Sequence, residues 1–217
     1  MKKGIFVILA SAIIFAGCQS KEEKAAELIK NELSKTLYDF ESYQPIETIV
    51  KEANSNAYND SACWMKAATL GYGMQQIIEY KEKSENAKEH RDIWGKPTYY
   101  SSSYSDNQYY KYNDEYIEAL GKVIDAYSVC KTIAMELKDS VAKLDTTQII
   151  GWEVSHRFRC KTKGGNSAIG DYRYIIDKDF KKVILCEDTD SEIDKHTREA
   201  IESAMSGYWD DTKEEKE

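Results

Sequence analysis

The chain has 217 residues, with 30 Lys and Arg against 38 Asp and Glu and a formal net charge of −8. That acidic balance excludes nucleic acid as a partner and disfavours anionic lipid surfaces, both of which need a basic footprint. Sixteen tyrosines and two prolines, with strong helical patterning, exclude a disordered chain; the length suffices for one good core or two small ones.

Met1-Lys2-Lys3 is a short basic start, and Ile5 to Ala16 is apolar except for Ser11. These 12 residues fall short of the ~20 that span a bilayer, and they fit the apolar core of an export signal. Phe15-Ala16-Gly17-Cys18 resembles a lipobox, with Phe15 where Leu is usual. The expectation is that residues 1–17 are removed and that Cys18 carries a diacylglyceryl thioether, making membrane lipid the first partner. Gln19 after the cysteine implies outer-membrane sorting by the rule of enteric bacteria. Without Lys2 and Lys3, 28 basic groups face 38 acidic ones, near −10.

Residues 18–36 are charged, with an amphipathic hint in Ala26, Ile29 and Leu33, and read as a lipidated, partly helical tether. Lys21-Glu22-Glu23-Lys24 within it is weakly similar to a surface-export signal. Residues 37–145 read as a helical region. Pro45 suits a first helical position, and Ile46, Ile49, Val50 and Ala53 then share one face. Asn54 to Asn59 is turn-rich. Asp60 caps a second helix whose seam runs Cys63, Ala67, Leu70, Met74, Ile77, then Tyr80, Ser84, Ala87, Arg91 and Trp94. Gly95 and Pro97 stop it. Asn113 or Asp114 caps a third helix with the strongest seam: Tyr116, Leu120, Val123, Tyr127, Cys130, Ala134, Leu137, Val141 and Leu144. Its alternating steps of four and three are those of a coiled coil. The two long helices form an antiparallel hairpin. A turn centred near residue 102 sets Cys63 by Val141 and Cys130 by Met74, too far apart for a disulfide.

After Leu144 the period becomes two, and residues 146–209 read as a three-stranded antiparallel meander with a covering C-terminal helix. Trp152, Val154, His156, Phe158 and Cys160 share one strand face; Glu153, Ser155, Arg157, Arg159 and Lys161 share the other. Gly164-Gly165-Asn166 turns into a strand over 168–176, Asp177-Lys178-Asp179 turns again, and Lys181 to Glu187 is the third strand. Cys160 and Cys186, on the outer strands, are also too far apart to bridge. Ser191 caps the last helix, whose Ile193, Ile201, Met205 and Trp209 are placed to cover the sheet. Residues 210–217 are a charged tail. The fold class is therefore α+β.

Three groups of side chains could carry function. His156 and Cys160 lie ~13 Å apart along their strand, too far for a nucleophile and its base, so the imidazole belongs to the core with a polar neighbour. Arg157, Arg159 and Lys161, with Arg173 and Lys182 adjacent, could take an anion or acidic glycan. Tyr99, Tyr100, Tyr104, Tyr109, Tyr110 and Tyr112 stand among Ser, Asp and Asn, the composition of adaptable contact surfaces. They are the candidate contact for an envelope protein or glycan. No zinc spacing, phosphate loop or nucleophile elbow occurs, so no metal, cofactor or catalytic residue is expected.

Leu37-Tyr38-Asp39-Phe40-Glu41-Ser42-Tyr43-Gln44-Pro45-Ile46-Glu47-Thr48 is similar to a stretch in a family of uncharacterised Bacteroidota lipoproteins. So is Ile150-Gly151-Trp152-Glu153-Val154-Ser155-His156-Arg157-Phe158-Arg159-Cys160-Lys161, continuing through Gly170-Asp171-Tyr172. With the lipobox and the helical middle, the resemblance takes in most of the chain. It implies an envelope location and carries no catalytic residue over. The leading expectation is a non-enzymatic membrane-anchored module that contacts a protein or glycan. A small-ligand or anion-binding module using the sheet, and a hydrolase with an unrecognisable site, are the alternatives.

Overall fold

Eight elements follow one another among the described residues, in the order α1 (Lys21–Thr36), β1 (Asp39–Asn54), α2 (Ser61–Trp94), α3 (Ser103–Ala142), β2 (Ile149–Lys161), β3 (Ser167–Asp177), β4 (Val183–Asp188) and α4 (Glu192–Met205). The computed structural model describes residues 19–210, so the export signal, Cys18 and the tail beyond residue 210 lie outside the described residues. The α+β class holds, with a long helical hairpin, antiparallel strands and a C-terminal helix. The sheet has four strands in the order β1-β2-β3-β4 rather than three.

The added strand is β1, over the residues expected to form the first short helix. Ile46, Ile49, Val50 and Ala53 do satisfy helical spacing, but Thr48-Ile49-Val50 is a β-branched run that favours a pleated surface. It pairs antiparallel with β2, Thr48 opposite His156 and Val50 opposite Val154. Pro45 sits at a register shift between Pro45 and Glu47 on this edge strand. There its missing N–H costs no central ladder bond.

The expected tether is also part of the body. Ser20 caps α1 through a capping box with Glu23, and Ala25, Ile29 and Leu33 are fully buried. They pack on Val154, Phe158, Tyr174 and Ile176 of the sheet. The buried stripe runs through Ala25 rather than Ala26, and only Gln19 and Ser20 remain between α1 and Cys18.

The hairpin follows the expected seams. Cys63, Ala67, Leu70, Ile77, Ser84 and Ala87 of α2 are buried, as are Cys130, Ala134 and Leu137 of α3. Asp60 accepts from the Cys63 N–H at 2.8 Å, and Gly95 ends α2 with a φ of 66°, a left-handed backbone that suits glycine. Lys66 Nζ donates to Ser140 Oγ at 2.9 Å, which fixes the antiparallel register. Gly73 lets the helices close on each other: a Cβ there would stand 2.5 Å from Cys130 Sγ. All four described cysteines are free.

The α4 helix docks mainly on the hairpin. Ala200, Ile201, Ala204 and Trp209 join the hairpin core, whereas Ile193 is exposed. At Gly71 a Cβ would meet the His196 carbonyl oxygen at 2.9 Å, so a side chain there would push α4 away. The sheet thus has α1 on one face, while Leu185 on the other packs against the hairpin core.

Candidate functional site

The distal end of the hairpin is built from the tyrosine-rich segment, but not as a loop. Ser102 caps α3 by accepting from the Ser105 N–H at 3.1 Å, so α3 begins at Ser103, some ten residues before the expected cap at Asn113 or Asp114. The true connection is Gly95 to Ser102, closed by a turn in which Ser101 N–H donates to the Thr98 carbonyl at 3.2 Å. Tyr104, Tyr109, Tyr110 and Tyr112 therefore stand on the first turns of a helix, and only Tyr99 and Tyr100 are on the connection.

That change decides which rings are free. Tyr99 and Tyr100 are 95% and 93% exposed and meet edge-on at 5.3 Å. Tyr104 and Tyr110 are exposed as well. Tyr109 and Tyr112 are half-buried, and Tyr112 stacks on His90 at 5.0 Å. Trp94, expected in the seam, instead meets Tyr104 edge-on at 5.5 Å and is partly exposed beside exposed Ile93. Ile93 and Trp94 are thus part of the patch and were not legible as such, because they continue a helical spacing. Arg91, under the patch, lies 4.8 Å over the Tyr116 ring and donates to Asn113 Oδ1 at 3.4 Å. The tip is an aromatic cap on a braced helix pair, at the end of a 34-residue helix about 51 Å long.

The basic strand face is different. Arg157, Arg159 and Lys161 are exposed. Arg157 lies in register with Glu47 on one side and Asp171 on the other, and Lys161 is opposite Asp39. Acids on the same face offset the positive charge where an anion would sit. Arg173 is on the same face, in register with Ser155, but is half-buried and already engaged: it donates to Glu153 at 2.8 Å, to Glu187 at 3.2 Å and to the Tyr58 carbonyl at 3.3 Å, and also to Asn59.

His156 has no exposed surface. Tyr43 Oη lies 2.8 Å from its Nε2 and Thr48 Oγ1 lies 2.9 Å from its Nδ1. A neutral imidazole donates through one nitrogen and accepts through the other, so both hydroxyls are satisfied. Burial pushes its pKa from 6.5 down to about 4, against the smaller opposing pull of Asp171. Both nitrogens are engaged, so the ring has no free position for a substrate proton. The Cys63 thiol is pushed up to about 11 by burial, with Asp60 adding to the effect, which disfavours the nucleophilic thiolate. Among the described residues, no group of three or more His, Cys, Asp or Glu is arranged to hold a metal ion. Among the same residues, no helix is long and apolar enough to cross a membrane.

No protein-family model matches the chain, and no curated protein or solved structure shows significant similarity to it.

Proposed function

We propose that this chain is a lipid-anchored protein of the bacterial envelope, and that it works as a non-enzymatic contact module whose aromatic tip engages an envelope protein or glycan. The observation that carries the reading is the exposure of Tyr99, Tyr100, Tyr104 and Tyr110 together at the end of the hairpin. Water-exposed aromatic clusters of this kind are costly to leave uncovered and mark interaction surfaces. Tyrosine suits the role because it brings a large rigid face and a polar end with little side-chain entropy to lose. The anchor part of the reading rests on the sequence: an export signal, a lipobox and Cys18.

The test replaces Tyr99, Tyr100, Tyr104 and Tyr110 with Ser and compares capture from envelope extracts with that of the unaltered chain. Far-UV circular dichroism should be unchanged, because these rings lie outside the cores. Capture of the specific partner should weaken by about tenfold or more, the effect of losing a single aromatic hot spot. Equal capture by both proteins would remove the tip from the function.

A further inference from the structure

The end of the sheet beside the start of α1 carries a set of features that the tip does not explain. The Lys21 ammonium lies 3.7 Å over the ring of Trp152. Trp152 stacks on Phe180, with ring centroids 5.5 Å apart and planes 15° from parallel, and its indole N–H donates to the Lys178 carbonyl at 3.1 Å. Both residues are half-buried and stand at the margin of the core between α1 and the sheet. Around them Lys21, Lys178, Lys181 and Lys182 are exposed.

Phe180 occupies its place at a cost. Its φ is 58°, and it is the non-glycine residue of positive φ among the described residues. The turn is closed by the Phe180 N–H donating to Asp177 O at 3.1 Å and the Asp177 N–H donating to Lys182 O at 3.0 Å. Asp177 Oδ1 accepts from the Lys181 and Lys182 N–H groups at 2.7 and 3.0 Å. A side chain in the left-handed region costs about 1–2 kcal/mol that glycine would avoid. The chain holds a phenylalanine there, on the face of Trp152. Strain of this kind points to a use for the ring that is so held.

The position of Cys18 supplies the use. Two residues, Gln19 and Ser20, separate it from Lys21, so the three peptide steps span about 11 Å at full extension. Because α1 is packed on the sheet from its first turns, no longer tether exists to move the body away. A lipid on Cys18 therefore holds this end of the sheet at the headgroups. Half-buried Trp and Phe flanked by lysines are the chemistry that settles at a bilayer interface: the rings take the glycerol level, and the long lysines reach the phosphates.

We infer that Trp152, Phe180 and the lysines of the β3–β4 turn form a second, non-covalent contact with the bilayer that carries the Cys18 lipid, so that the body lies flush on the membrane. The inference rests on the lipid-anchor reading. Its occupant is a zwitterionic phospholipid surface, whose phosphates suit the four lysines and whose lack of net charge spares the acidic body a general repulsion.

The test uses the full lipidated chain in phosphatidylcholine and phosphatidylethanolamine vesicles, with and without bromine on the acyl chains. Brominated lipid should quench part of the tryptophan emission. That quenching should vanish in Trp152→Phe and persist in Trp94→Phe, which alters the hairpin tip. Changing Lys178, Lys181 and Lys182 together to Gln, which leaves the cores untouched, should weaken it. A chain that floats with the vesicles but shows no quenching, or shows the same quenching after Trp152→Phe, overturns the second contact and leaves the anchor standing. A chain that does not float, and takes up no labelled fatty acid at Cys18, overturns both.

Discussion

A fully buried imidazole between two hydroxyls ties the edge strand β1 to β2. His156 reaches Tyr43 and Thr48, which precede it by 113 and 108 residues. The need for a polar partner was legible in the sequence, since a histidine on an apolar strand face must be satisfied; its identity was not, at that separation. The burial has a consequence for stability. The unfolded chain takes up a proton at this ring near pH 6.5, while the folded chain refuses it until about pH 4. The unfolded state thus binds more protons in between, and linkage makes stability fall as pH drops through that window. The loss is complete near pH 4, flat below it, and on the order of 3 kcal/mol in all. Urea midpoints measured from pH 7.5 to 4 should follow this course, and the His156 ring resonances should stay unmoved from pH 7 to 5. A ring that titrates near 6.5 in the folded protein would contradict the burial.

The elements divide by the range of the information that specifies them. Local repetition specifies α2 and α3: each carries a seam several turns long, and Asp60 and Gly95 mark the ends of α2 with chemistry that acts within four residues. Only the start of α3 was misplaced, because a dense run of Ser, Asn and Tyr concealed the capping serine at Ser102. The β1 strand was hidden because Ile46, Ile49, Val50 and Ala53 fit a helix by spacing, and the β2 residues that overrule that spacing lie a hundred residues on. The α1 helix was hidden for a related reason. It shows one apolar residue per turn, at Ala25, Ile29 and Leu33, in a highly charged segment, and so narrow a stripe has value only once the sheet exists to receive it. The two readings of α1 differ in energy. In a tether, Leu33→Ala would change stability by less than about 0.5 kcal/mol. Leu33 is instead 1% exposed and packed on the sheet, so the same change should cost about 2–4 kcal/mol in urea unfolding. A change near zero would restore the tether.

In the whole molecule, the hairpin layer and the sheet meet through charge as much as through apolar contact. Glu187 on β4, 2% exposed, accepts from Arg173 on the neighbouring strand and from Arg198 on α4. Arg173 also holds Glu153 and the Tyr58 carbonyl, so one cluster spans two layers and the turn into α2. Such a cluster gains little over apolar packing while intact, since desolvation offsets the attraction. Its weight appears when one member is lost and the others stay buried short of a partner. Glu187→Ala should cost about 2–3 kcal/mol, because it removes the shared acceptor of both arginines while Glu153 still neutralises Arg173 at 2.8 Å. Arg198→Ala should cost clearly less, because the Arg198 side chain is 38% exposed and Arg173 remains to neutralise Glu187. Trp152 reports on the sheet and Trp209 on the hairpin core, so urea unfolding followed at both shows whether the layers separate. If the cluster couples them, Glu187→Ala splits the two midpoints, with Trp152 falling below Trp209. Two midpoints lowered together would place the coupling in the apolar contact around Leu185 instead, and would leave the sheet and the hairpin joined by packing rather than by charge.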